Sequence, residues 1–210
     1  YLGPAYENKE IYSLLIKNKF DKKYKVTFYK DIEKEVASLL AKGKIVARFK
    51  GRCEFGARAL GNRSILADAS NKEVVMEINE QIKNRDFWMP FAPSILYEKS
   101  DKYIKNKKNF FAPWMVLAFE TKEKAKKDLI AGLHPYDFSA RPQMVTKEFN
   151  RDYHRLISLF EKNTGRGGIL NTSFNLHGEP MVCSPEDAIH TFEDSGLKYL
   201  AIENYLLSKE

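Results

Sequence analysis

Fourteen residues from Gly51 to Ser64 (GRCEFGARALGNRS) hold three glycines and three arginines, directly behind the apolar run Lys44–Phe49 (KIVARF). This juxtaposition constrains the fold more than any other feature of the chain. The apolar run reads as a buried strand, and the stretch behind it is too punctuated for a long regular element. Glycine lets backbone approach a ligand closely, and arginine offers a fixed fork of donors for phosphate or carboxylate. Phe55, Ile65 and Leu66 give the stretch apolar anchors, so it reads as packed loop rather than free turn. The chain contains no G-x-x-x-x-G-K-[ST] segment, so P-loop chemistry has no support.

Helices and strands interleave around this loop. Asp31–Lys42 reads as an amphipathic helix with Ile32, Val36, Leu39 and Leu40 on one face, closed by Gly43. Asn71–Lys83 reads as a second helix, with Asn71 as N-cap and Val74, Val75, Ile78 and Ile82 inward. Met89–Leu96 is expected to turn and enter a strand. Met115–Phe119 is expected as a strand and Phe149–Phe160 as a helix. Gly168–Leu170 reads as a short strand feeding a tight polar loop, Asn171–Pro180. Ser184-Pro185-Glu186-Asp187 is a strong helix start, with an N-cap serine, proline at the first position and acids in the first turn. Two terminal strands follow, Tyr199–Ile202 and Tyr205–Leu207. Residues 1–30 read as an entry segment with aromatic anchors at Tyr12, Phe20, Tyr24 and Phe28. The pattern implies one α+β domain, a mixed sheet with packed helices.

Two further stretches concentrate polar groups. In Lys83-Asn84-Arg85 two cations two residues apart point the same way on extended backbone, a double positive clamp beside Phe87 and Trp88. At a helix end the same cations would merely suit the dipole. Leu170–Pro180 (LNTSFNLHGEP) offers Asn171, Ser173, Asn175 and His177 to phosphoryl oxygens or an adenine edge; an Asn/Ser turn satisfying its own backbone is the alternative. Of the four histidines only His177 falls inside a candidate site, and none has paired metal-ligand spacing, so no metal site is expected in the chain.

Composition narrows the class. The 14 Phe and 11 Tyr supply ample surface to bury, which disfavours disorder. The longest purely apolar run, near Trp114–Phe119, is far short of the ~20 residues of a spanning helix. Cys53 and Cys183 form no framework and read as reduced thiols of a cytoplasmic protein. A net charge of +7 suits anionic partners. Asp101, Glu120 and Glu123 interrupt the basic run Lys99–Lys127, so a solvated face is expected there rather than a nucleic-acid track. The first residue is Tyr1, not Met, and the chain is expected to be a piece of a longer polypeptide.

From about Tyr1 to Lys209 the chain resembles the C-terminal domain of the O-carbamoyltransferase family, which includes enzymes that carbamoylate nodulation factors and antibiotics. The resemblance rests on GRCEFGARALGNRSILAD (51–68), the Asn79…Lys83-Asn84-Arg85 stretch leading into MPFAPSIL (89–96), ARPQMV (140–145), ILNTSFNLHGEP (169–180) and CSPEDAIHTF (183–192). The family's usual Gly-Pro-Arg-Ala-Leu-Gly is Gly56-Ala57-Arg58-Ala59-Leu60-Gly61 here. Its Asp-Gly-Thr-Ala-Arg is Asp137-Phe138-Ser139-Ala140-Arg141, which adds bulk beside Asp137 and Arg141.

The resemblance implies a YrdC-like fold over residues 31–210, with 1–30 at a junction to a preceding domain. It implies two steps. ATP, accompanied by Mg²⁺, and carbamoyl phosphate give carbamoyl-adenylate in this domain. An N-terminal kinase-like domain of the same polypeptide, the one expected to carry Fe²⁺, then moves the carbamoyl group to a hydroxyl. The Lys-x-Arg signature falls on Lys83 and Arg85, and Ser-x-Asn-x-x-Gly-x-Pro falls on Ser173, Asn175, Gly178 and Pro180. Lys83, Arg85 and Arg58 are the expected catalytic residues. Arg52, Arg63, Arg141, Asn171, Ser173, Asn175 and His177 are expected to bind ATP and carbamoyl phosphate. A basic YrdC-like RNA-binding module without catalysis is the competing reading, and a second copy of the chain is a candidate partner.

Overall fold

The computed structural model describes residues 1–83 and 89–209. Its strands are β1 (Lys25–Phe28), β2 (Val46–Phe49), β3 (Arg63–Ala67), β4 (Ala92–Leu96), β5 (Gln143–Val145), β6 (Gly168–Ser173), β7 (Tyr199–Ile202) and β8 (Tyr205–Ser208). They form one sheet in the order β1-β8-β7-β2-β3-β6-β4-β5. β2–β7 and β4–β5 pair parallel and the other neighbours antiparallel, so the sheet is mixed.

Both faces of the sheet are covered, which is why its central strands are buried along nearly their whole length. Along β3, Leu66 packs into one core while Ile65 and Ala67 pack into the other, the two-residue period of a pleated strand. On one face lie α3 (Ile32–Ala41) and α6 (Arg151–Thr164). On the other lie α1 (Asn8–Lys17), α4 (Val74–Ile78) and α7 (Pro185–Glu193). Two further short helices among the described residues are α2 (Phe20–Lys23) and α5 (Glu123–Asp128). Asp31 caps α3 through the Lys34 amide, and Ser184 with Asp187 forms a reciprocal capping box on α7. No helix among the described residues is long and apolar enough to cross a membrane.

Residues 1–30 contribute α1, α2 and the edge strand β1 to this sheet, with Ile11 and Leu15 fully buried. Of the expected aromatic anchors, Tyr12 and Phe28 are exposed and lean on Tyr205. Four local expectations are corrected. The glycine- and arginine-rich stretch ends as β3, because Arg63–Leu66 finds strand partners on both sides. The polar loop begins later than expected, since Asn171–Ser173 pair with Ser64–Leu66 as part of β6. Met115–Phe119 makes only an isolated bridge, Phe119 to Ala140, and is no strand. The second helix is short and Asn71 does not cap it. Its side chain closes a turn onto the Glu73 amide, α4 follows, and the backbone then widens to a π-helical turn over Asn79–Lys83.

Candidate functional site

The topology gathers four chain segments at one end of the sheet. β6 runs antiparallel to both β3 and β4, and β4 runs parallel to β5. The C-terminal end of β6 therefore lies beside the N-terminal ends of β3, β4 and β5. The segments meeting there are the loop before β3, Met89–Phe91, Ala140–Arg141 and the turn after Ser173. A cavity of about 620 Å³ opens between them, lined by Arg58, Lys83, Phe91, Arg141, Asn175 and His177, and by His134. A volume in this range accommodates a small cofactor or nucleotide. A pocket of about 40 Å³ shares Arg58, Phe91 and Arg141 with it and is floored by Asn171, Thr172 and Ser173.

Lys83 is the buried cation of the site. Ile78 and Ile82 anchor the turn that carries it, and its side chain is almost wholly buried. Its Nζ donates to Ser173 Oγ at 3.2 Å, the Asn175 carbonyl at 3.1 Å and Asn175 Oδ1 at 2.6 Å. Ser173 Oγ donates to the same Oδ1 at 2.6 Å. The amide nitrogen of Asn175 donates to the carbonyls of Leu176 and Glu179, both at 2.8 Å, which fixes the turn. One lysine, one serine and one asparagine are thus locked in register at the wall of the cavity.

The arginine-rich loop divides into two functions. Arg58 is exposed and faces the cavity. Arg63 is fully buried and spends its donors on backbone, with Nη1 reaching the carbonyls of Gly51 at 3.1 Å and Asn62 at 3.0 Å, and Nη2 that of Pro4 at 3.3 Å. Its guanidinium lies 3.6 Å from the centroid of Phe49. Burial pushes its pKa below the ordinary arginine value. Arg48 is built in likewise, with Nη1 on the Gly61 carbonyl at 2.6 Å and on Asn62 Oδ1 at 3.1 Å. Arg52 is exposed and outside the cavity wall.

Glu54 holds the loop together. Its Oε1 accepts from the amides of Leu60 at 2.7 Å, Asn62 at 2.7 Å and Arg63 at 3.2 Å. Gly61 closes the same turn at φ +112°, and a Cβ there would lie 2.4 Å from the Tyr153 ring. In the sequence Glu54 is a single acid inside a cationic loop, where it has amides to organise.

The structure brings Lys83, Arg58, Arg141, Asn171, Ser173, Asn175 and His177 to the two connected pockets. Arg52 and Arg63 lie elsewhere, and Arg85 is outside the described residues. His134 corrects the reading of His177 as the sole histidine of the site, since it lines the same cavity and stands 3.2 Å from Asp137. Sequence gave no sign of it, because it comes from a separate loop. Asn171 is buried, its amide nitrogen donating to Ser94 Oγ at 3.0 Å and the Ala59 carbonyl at 3.2 Å. Its Oδ1 receives no hydrogen bond among the described residues. Among those residues no group of three metal-ligating side chains clusters.

Residues 37–209 match the family described as Carbamoyltransferase C-terminus, and the chain belongs to that family. Over 211 residues it is 38% identical to the uncharacterized protein MJ1058 of Methanocaldococcus jannaschii, covering all of this chain and 34% of that protein. It is 35% identical over 210 residues to nodulation protein NolO of Bradyrhizobium diazoefficiens, covering all of this chain and 38% of NolO. It is 34% identical over 158 residues to the 3'-hydroxymethylcephem-O-carbamoyltransferase of Streptomyces clavuligerus, covering 75% and 29%. The chain thus spans roughly a third of the length of these relatives. The fold is YrdC-like. Full-length HypF in its phosphate- and nucleotide-bound form superposes with a TM-score of 0.58 at 20% identity, over 82% of this chain and 25% of HypF.

Proposed function

We propose that the paired pockets bind ATP and carbamoyl phosphate and form carbamoyl-adenylate, which a domain preceding this one in the full-length polypeptide passes to a hydroxyl acceptor. The observation that carries this reading is Lys83, buried and fixed between Ser173 and Asn175, on a cavity that Arg58 and Arg141 also line. Three cations converge where a phosphoryl chain would lie. The larger pocket has room for the nucleotide, and the smaller one has room for a group of a few atoms.

The chemistry needs such an arrangement. A carbamate oxygen is a poor nucleophile, and a triphosphate repels it. Water first cleaves carbamoyl phosphate to carbamate and inorganic phosphate; a carbamate oxygen then attacks the α-phosphorus of ATP, forming the new O–P bond and expelling pyrophosphate, so negative charge must be neutralised on both sides. Fixed cations held out of water act best on charge that grows in the transition state. Lys83 and Arg58 fill that role, and Arg141 lies where it reaches the carbamoyl phosphate. Ser173 and Asn175 position Lys83. Asn171 Oδ1, an acceptor without a donor among the described residues, matches the N–H of a carbamoyl group. Mg²⁺ would arrive with the triphosphate, whose oxygens and waters satisfy most of its coordination. HypF, which shares the fold, was crystallised with phosphate and nucleotide, a condition compatible with this reading.

The test is ATP–pyrophosphate exchange by the chain. Exchange is expected to require carbamoyl phosphate and to fall by about 10²–10³ in Lys83→Ala. Exchange equal in the two proteins removes Lys83 from the reaction. Tight RNA binding with a steep salt slope and no exchange favours the RNA-binding alternative.

A further inference from the structure

Splitting carbamoyl phosphate with water calls for a base, and the walls of the two pockets offer few. Among the described residues no aspartate or glutamate lines either pocket. Lys83 spends its Nζ as a donor on Ser173 and Asn175, and arginine is a donor only. The side chains on the walls that take up a proton near neutral pH are the imidazoles of His134 and His177. They differ in what stands behind them. His134 Nδ1 lies 3.2 Å from Asp137 Oδ1 and is shielded from solvent. His177 makes no ion pair among the described residues.

The His134–Asp137 pair belongs to one pinned loop. The His134 amide donates to the Ser139 carbonyl at 2.8 Å, and the Phe138 amide to the His134 carbonyl at 3.0 Å. The Ser139 amide donates to Asp137 Oδ1 at 2.8 Å, which aims the carboxylate and holds its pKa below the ordinary aspartate value. The Ala140 amide donates to the Phe119 carbonyl at 3.0 Å and the Phe119 amide to the Ala140 carbonyl at 2.8 Å, which ties down the loop just before Arg141. Imidazole and guanidinium thus reach the same cavity from one rigid loop. His134 is only half-buried, so water has access to it.

We propose that His134, oriented by Asp137, is the base that activates the water that splits carbamoyl phosphate, an assignment that rests on the reading of the site given above. With the Nδ1 proton turned to Asp137, Nε2 carries the lone pair. Nε2 takes a proton from water as the water oxygen bonds to the carbamoyl carbon. The carbonyl then re-forms and the C–O bond to the phosphoryl group breaks, its electron pair leaving with phosphate. The imidazolium gives its proton to the departing phosphate, and the carbamic acid loses one to solvent. Carbamoyl phosphate and water thus become carbamate, hydrogenphosphate and one proton.

The experiment runs ATP–pyrophosphate exchange by the intact chain with two sources of carbamate. Carbamoyl phosphate must be split first, and freshly dissolved ammonium carbamate need not be. The ratio of the first rate to the second is expected to fall about 10²-fold or more in His134→Gln, and about tenfold in Asp137→Asn. Added imidazole should restore part of the lost ratio in His134→Ala. A ratio within about threefold of wild type in His134→Gln overturns the proposal. So does oxygen-18 in the phosphate when the reaction runs in labelled water, because water would then have attacked phosphorus. Exchange with neither source in the wild-type chain overturns the reading of the site itself, a result distinct from exchange that does not need His134.

Discussion

Arg58 and Arg63 stand five residues apart in one motif and do opposite work. Arg63 is sealed against Phe49 with its donors on backbone carbonyls, while Arg58 is exposed on the cavity wall. A buried cation turned away from the cavity has little to offer a ligand there. An exposed one beside a cavity contributes little to folding and much to binding an anion. The same contrast runs through the rest of the site, with Arg48 and Glu54 on the scaffold side and Lys83 and Arg141 on the cavity side.

The largest effect should come from the scaffold. Arg63→Ala is expected to destabilise the chain by about 3 kcal/mol or more, since it strips donors from buried carbonyls and empties a packed site; urea denaturation measures it. A loss below 1 kcal/mol would break the distinction between the two arginines. Glu54→Ala should behave similarly, at about 3 kcal/mol, because three amides lose their acceptor. Gly61→Ala should cost about 2–4 kcal/mol, from the clash with Tyr153 and the positive φ.

Phe138 sharpens the comparison from the other side. Its φ of +57° is a conformation suited to glycine, while its ring packs partly against the core. Phe138→Gly should relieve about 1 kcal/mol of backbone strain and lose a similar amount of burial. The net change in unfolding free energy should be within about 1 kcal/mol, against 3–5 for deleting a core phenylalanine. The smallest effect concerns pH. Burial raises the Glu203 carboxyl above its ordinary 4.5, although it accepts from the Gly51 amide at 2.7 Å. The folded chain therefore holds that proton more tightly than the unfolded chain, and this contribution to stability is lost as pH rises through the raised value. Glu203→Gln should flatten the decline in urea midpoint on the alkaline side of pH 4.5, and an unchanged slope would remove Glu203 as its source.

The sequence made legible those elements whose ends carry chemistry. α3 and α7 were readable from Asp31 and Ser184 because a cap is a local event. β1, β5 and the outer half of β6 were not, because short polar-flanked segments become strands only when a neighbour completes their hydrogen bonds. The polar residues of the site were readable as a set, since Lys83, Ser173 and Asn175 sit in compact motifs. Which arginine faces the cavity was not readable, because Arg52, Arg58 and Arg63 share a pattern and differ only in how the folded loop buries Arg63 and turns Arg58, not Arg52, to the cavity. His134 stayed hidden for a related reason: loop closure in three dimensions, not spacing, puts it beside His177.

The central claim is that the cavity cations grip a nucleotide while their neighbours in the motif do not. Calorimetric titration of ATP into the wild-type chain, Arg58→Ala and Arg52→Ala tests it most directly. The account predicts saturable binding that weakens about 10- to 100-fold in Arg58→Ala and less than about twofold in Arg52→Ala. Equal affinities in all three proteins, or a larger loss in Arg52→Ala, would contradict it.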